Sequence, residues 1–165
     1  MSILSDRDIL DCMKKGELTI ENFNEKNLTP NGYDITVEEI FYQDEVVRDG
    51  TVEIKPLKWF AVSTKEYFKI GEELAGQIWL RTSWSRKGIL ASFGKIDAGF
   101  EGTLTLSGFN ASDKTVRLSI GDRFAQTVFE RLGSKALKPY GKRSAHYSEQ
   151  RGITLEPPNR TRSEP

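Results

Sequence analysis

The sequence predicts a mainly β fold, a sandwich or barrel-like domain entered by one short helix. Short runs of alternating apolar and polar residues recur along most of the chain. Gly, Asp, Asn and Lys separate these runs, as turns require. The length of 165 residues suits a single domain.

The helix comes first, over Ser5 to Gly16. Ser5 is a good N-cap, and Asp8 places an acidic side chain near the helix start. Ile9, Leu10 and Met13 form one apolar stripe, Lys14 and Lys15 suit the C-terminal end, and Gly16 suits the stop. Strands are expected at Leu18–Ile20, Tyr33–Val37, Thr51–Ile54 and Trp59–Thr64. More follow at Gly76–Arg81, Thr103–Leu106, Val116–Ile120 and Phe124–Phe129. Many short strands with frequent turns give a sandwich or barrel. From Lys138 the chain changes character, with Pro139, Gly141, Gly152, Pro157, Pro158 and Pro165 among several basic residues. Two readings stand for this stretch: a flexible tail, or a lid that orders over a ligand. Tyr140, Lys142, Arg143 and Tyr147 favour a lid over about 138–155, with 156–165 as plain tail.

Composition narrows the functions. Lys+Arg and Asp+Glu both number 24, so no global field exists to hold a long nucleic acid. A polyanionic ligand needs a local cluster. One cysteine, Cys12, permits no intrachain disulfide and fits a reducing compartment. The first residues lack a hydrophobic signal core, and no apolar run is long enough to span a membrane, so a cytoplasmic location is expected. The single His146 argues against a multi-histidine metal site.

Three segments carry chemistry. Arg81-Thr82-Ser83-Trp84-Ser85-Arg86-Lys87-Gly88 gathers hydroxyls and cations directly after a strand. Such residues let backbone N–H groups approach phosphate oxygens and neutralise their charge; an exposed loop is the alternative. Gly94-Lys95-Ile96-Asp97-Ala98-Gly99-Phe100-Glu101-Gly102 predicts a glycine-bent hairpin that presents one carboxylate, or simply a structural turn. Gly121-Asp122-Arg123-Phe124-Ala125-Gln126 is a turn entering a strand with Arg and Gln at its mouth.

In this order, and with Thr29-Pro30-Asn31-Gly32-Tyr33-Asp34 before them, these segments resemble the motifs of the dUTPase/dCTP-deaminase family. Ile3 to Ile9 and the Pro139–Arg143 segment with Tyr147 and Gln150 resemble its deaminase branch. The likeness runs from about residue 3 to 155. It implies a distorted β-barrel or jelly-roll-like fold, a homotrimer, and a deoxynucleoside triphosphate as ligand.

The branches differ in chemistry. One hydrolyses dUTP with an Asp-oriented water and Mg²⁺; the other releases ammonia from dCTP without zinc, using a glutamate on the strand after the third motif. Here Ser107 stands in that place, and a hydroxyl hardly ionises at neutral pH. The stretch from Arg86 to Asp97 is also shorter than in deaminases. The glycine-rich fifth motif of the hydrolases is absent, so the chain is a mosaic. The expectation is dUTP hydrolysis, with dCTP deamination, a bifunctional enzyme or a non-catalytic nucleotide binder as alternatives. The resemblance implies that Asp97 holds the sugar 3′-hydroxyl and the attacking water. Arg81, Thr82, Ser83, Arg86 and Gln126 would grip phosphates, and Gly94, Lys95 and Ile96 would read the base. Phe100 would floor the sugar, and Tyr140, Lys142, Arg143, Tyr147 and Gln150 would close over the ligand. Mg²⁺ would ride mainly on the substrate phosphates, with Asp34 as possible support. Arg123 would pair with Asp34 across the subunit boundary.

Overall fold

The computed structural model describes residues 2–143 and 145–157. Of the expected tail, residues 158–165 lie outside the described residues. Helix α1 spans Asp6–Lys14. Ser5 and Asp8 form a reciprocal cap: Asp8 N donates to Ser5 Oγ at 3.2 Å and Ser5 N to Asp8 Oδ2 at 3.0 Å. Ile9 and Cys12 bury the inner face of the helix.

Nine strands of four residues or more follow: β1 (Leu18–Glu21), β2 (Gly32–Tyr42), β3 (Thr51–Ile54), β4 (Trp59–Thr64), β5 (Tyr67–Ile70), β6 (Leu74–Leu80), β7 (Thr105–Asn110), β8 (Val116–Ser119) and β9 (Arg123–Arg131). The fold is mainly β, as the sequence predicts. The main sheet runs β7-β4-β2-β9-β6, entirely antiparallel, with short strands Ile89–Leu90 and Lys95–Ile96 at its edges. β1, β5 and Glu101–Gly102 form a second sheet, and β3 pairs with β8. Tyr33, Phe60, Phe68, Phe124 and Phe129 are fully buried between them.

Three expectations need correction. β2 runs on to Tyr42, past the predicted end at Val37. It does so by shifting register between Val37 and Glu39 against β4, and this irregularity breaks the alternation that a sequence reading follows. β5 was not predicted at all: only Lys69 in Tyr67-Phe68-Lys69-Ile70 faces out, so alternation is missing. Finally, residues 94–102 are not a hairpin. Lys95–Ile96 pairs with Gln77 and Gly76 of β6, whereas Glu101–Gly102 pairs with Lys69 and Phe68 of β5. The segment is a bend that passes from one sheet to another.

Candidate functional site

That bend is closed by a tight turn. Phe100 N donates to Asp97 O at 3.0 Å, and Gly99 at the third position has φ +79°, the form of a type II turn. A Cβ on Gly99 would lie 2.5 Å from Cβ of Pro139, so glycine is required twice over. The turn presents the Asp97 carboxylate at the rim of a cavity of about 610 Å³. Lys95 Nζ lies 3.2 Å from Asp97 Oδ1, both being well exposed.

Gly94, Lys95, Phe100, Tyr140, Tyr147 and Gln150 line the same cavity, as do Trp59, Ser92, Ser107 and His146. Phe100 is buried, and its ring meets Tyr140 edge-on at 5.5 Å. Ile96 is buried behind the wall against Gly76. Asp97 is the only carboxylate among the described lining residues.

The C-terminal segment forms one side of this cavity. Tyr140 N donates to Ala98 O at 2.8 Å, and Tyr147 N donates to Tyr140 Oη at 3.0 Å. Gln150 bridges to Gly102: Thr103 N donates to Gln150 O at 2.9 Å, and Gln150 Nε2 donates to Thr103 O at 2.7 Å. Gln150 Oε1 is buried and has no partner among the described residues. Below, Lys69 holds the Glu101 carboxyl under its ordinary range from 2.8 Å. Burial, then the bond to Glu101, pushes the Tyr67 hydroxyl up to about 12. Arg151 stacks over the Tyr67 ring at 4.1 Å.

A second cluster forms around Asp34, 2 % exposed. Arg81 Nε and Arg123 Nη1 each lie 3.2 Å from Oδ2, and Gln126 Nε2 donates to Oδ1 at 3.1 Å. Arg123 and Asp34 therefore pair within one chain, not across a subunit boundary as the resemblance implies. The register explains this, because Gln126 sits opposite Asp34 on adjacent strands β9 and β2. The carboxylate is saturated by two guanidinium groups, which repel a divalent cation, so Asp34 does not suit the metal support expected of it. Among the described residues no group of three or more His, Cys, Asp or Glu could hold a metal. The Mg²⁺ that the resemblance implies would ride on phosphate oxygens and water, so it needs no protein cage.

Thr82 and Ser83 open the short helix α2 (Thr82–Ser85) and are exposed. They do not line the Asp97 cavity. Arg86 lines a different cleft with Lys87, Lys114 and Arg117, apart from the Asp34 cluster. Lys142, on α3 (Tyr140–Arg143), is absent from the cavity wall. Trp59, Ser92 and His146 escaped the sequence reading. Trp59 lies at the exposed start of the expected strand Trp59–Thr64, and it shares the cavity side with Ala61.

A family model described as dCTP deaminase-like matches residues 3–132. The chain belongs to that dCTP deaminase-like family. A dCTP deaminase of Thermococcus kodakarensis is 40% identical over 134 residues, covering 79% of this chain and 86% of the relative. A probable deoxyuridine 5′-triphosphate nucleotidohydrolase of Sulfolobus islandicus rod-shaped virus 1 is 33% identical over 157 residues, covering 93% and 97%. Both branches of the family are thus represented among its relatives.

Solved structures agree in fold. The 2′-deoxycytidine 5′-triphosphate deaminase of Agrobacterium tumefaciens superposes with TM-score 0.68 at 17% identity, covering 79% of this chain. This chain spans 46% of that one. A Staphylococcus bacteriophage 80alpha dUTPase, solved with dUpNHpp, superposes with TM-score 0.52 at 22% identity, covering 73% and 94%.

Proposed function

We propose that this protein hydrolyses dUTP to dUMP and pyrophosphate. The observation that carries the proposal is the lone carboxylate: the cavity has Asp97 at its rim and Ser107, not an acid, on β7. Hydrolysis needs one group to orient a water. Deamination needs a carboxylate at the base to shuttle protons, and a serine hydroxyl hardly ionises.

Asp97 holds the sugar 3′-hydroxyl and accepts a hydrogen bond from the attacking water. As the water oxygen bonds to the α-phosphorus and passes its proton to the Asp97 carboxylate, the bond to the bridging oxygen breaks and pyrophosphate leaves. Positioning and charge neutralisation supply most of the acceleration in such transfers. When bound, Mg²⁺ would neutralise charge on the phosphate oxygens. Phe100 forms an apolar floor on which a ribose 2′-hydroxyl has no partner, at a cost on the order of 1–3 kcal/mol. The segment of about 138–155 acts as the lid.

Arg81 and Gln126 gather at Asp34, whereas Asp97 lines a separate cavity. One triphosphate served by both halves calls for a second copy of the chain, as in the homotrimer that the family resemblance implies. The apolar face bearing Trp79 and Leu90, 59 % and 60 % exposed, is the surface such an assembly would cover.

The rival, dCTP deamination, draws support from the names of relatives such as the Thermococcus protein. The test separates them. The protein is incubated with dUTP and dCTP separately, with Mg²⁺, and pyrophosphate and ammonia are both measured. Pyrophosphate from dUTP, lost in Asp97→Asn with the fold intact, is the expected result. Ammonia from dCTP, or full dUTP turnover by Asp97→Asn, overturns it.

A further inference from the structure

Glu66, on the turn between β4 and β5, is 1 % exposed and belongs to neither half of the site described above. Burial raises its carboxyl pKa. No Lys or Arg pairs with it among the described residues, although Lys26, Lys65 and Arg123 line the same cleft. An unpaired acid in such a place is costly, so what it bonds to matters.

It bonds to one backbone position. Glu66 Oε2 accepts from Thr36 N at 2.9 Å. The preceding Lys65 N donates to Thr36 O at 2.9 Å. Asn27 Nδ2 donates to Thr36 Oγ1 at 2.9 Å and sits 3.5 Å from Glu66 Oε1. Thr36 is thus clamped at its N–H, its carbonyl and its side chain.

The clamp falls where β2 is least regular. Thr36 is opposite Arg123, and the register shifts between Arg123 and Ala125. Beyond it, the pairing with β4 shifts again between Val37 and Glu39. Two residues back on the same strand face is Asp34, which gathers Arg81, Arg123 and Gln126. The carbonyl of Arg123 accepts from Trp84 Nε1 at 2.9 Å and from Arg81 Nη1 at 3.3 Å. A shift of Thr36 would therefore move both arginines.

We propose that Glu66 is a positioning residue: by taking the Thr36 N–H that the bulged sheet leaves free, it fixes the aim of the Arg81–Asp34–Arg123 cluster. The cluster is a grip for the phosphates of a deoxynucleoside triphosphate, and this last clause alone rests on the proposed function.

The test reads the cluster directly. The Nε–Hε resonance of Arg81, ion-paired with Asp34 at 3.2 Å, is followed by ¹H–¹⁵N NMR in the full chain, alongside affinity for dUpNHpp. Glu66→Gln keeps an acceptor for Thr36 and is expected to keep the resonance, with affinity close to wild type. Glu66→Ala is expected to shift or broaden the resonance and weaken dUpNHpp binding by about tenfold, the loss of one buried hydrogen bond. Glu66→Asp keeps the charge but is one methylene too short, so it is expected to behave as the alanine and decides the matter where the alanine fails to fold. A purely structural role would lower thermal stability without moving the Arg81 resonance. An unmoved resonance in the shortened variants, or a shifted one in Glu66→Gln, overturns the proposal. Wild-type protein that shows the resonance but binds no dUpNHpp refutes the proposed function, and the resonance then decides the role of Glu66 alone.

Discussion

Removing Asp34 isolates what its cluster contributes. Its side chain is 3 % exposed, against 29 % for Arg81 and 44 % for Arg123. Breaking a fully buried ion pair by deleting one partner costs about 3–5 kcal/mol. Here the arginines are partly wet, and solvent screening reduces the figure to roughly 2–3 kcal/mol for Asp34→Ala. For a chain of this length that lowers Tm by about 4–12 °C. Asp34→Asn keeps an acceptor for Gln126 but loses the charge, so a smaller loss of about 1–2 kcal/mol is expected. Arg123→Ala leaves the carboxylate with Arg81 and Gln126 and is expected to cost less than Asp34→Ala. Urea and thermal unfolding of the three variants, with an Asp34/Arg81 double-mutant cycle, measure this ordering. If Arg123→Ala matched Asp34→Ala, or if Asp34→Ala left Tm unmoved, the shared-carboxylate account would fail.

Gly99→Ala forces a side chain onto a residue at φ +79° and toward Pro139; a loss of about 1–3 kcal/mol in urea unfolding is expected, with faster proteolytic cleavage in 139–155. Glu66 has a carboxyl raised above its ordinary 4.5 by burial, so the folded state holds a proton that the unfolded chain has already released. Its stabilising effect is therefore full below pH 4.5 and lost as pH rises through the raised value; the stability difference between wild type and Glu66→Gln, measured across that window, should change in this sense. Trp79→Asp charges the exposed apolar face and is expected to reduce the sedimentation coefficient to that of the monomer; wild-type protein that already sediments as a monomer would refute the assembly proposal.

The parts of the fold that showed in the sequence are those fixed by near neighbours. Ser5 and Asp8 announce the helix because the cap closes within one turn. Thr51–Ile54 shows because alternation and flanking turns coincide with the observed strand, and Trp59–Thr64 because it is a run of aromatic and β-branched residues. The Asp34 cluster did not show in full. Its motifs are each visible, but Asp34 meets Arg123 and Gln126 across separations of 89 and 92 residues, and only strand register brings them together. Glu66 gave no signal for the same reason. Its partner Thr36 lies 30 residues away, and a Glu before an apolar run reads as an ordinary exposed charge.

Under the proposed function a single residue on β7 bears much of the functional choice, and register explains how it can. On β7, Leu106, Gly108 and Asn110 are buried, while Thr105 and Ser107 are half-buried on the other side; Thr105, Leu106 and Ser107 all border the cavity. Two contacts lock this phase. A Cβ on Gly108 would stand 2.5 Å from the Phe60 ring, and Asn110 Nδ2 donates to Ile54 O at 3.0 Å and Lys114 O at 2.8 Å. A slip by one residue would turn every side chain to the wrong face, so residue 107 is held toward the cavity whatever its identity. Position 107 can therefore change from acid to hydroxyl without disturbing the core, and the chemistry of the cavity changes with it. Under the proposed function, the β7 residue after Leu106 decides whether a proton shuttle faces the base.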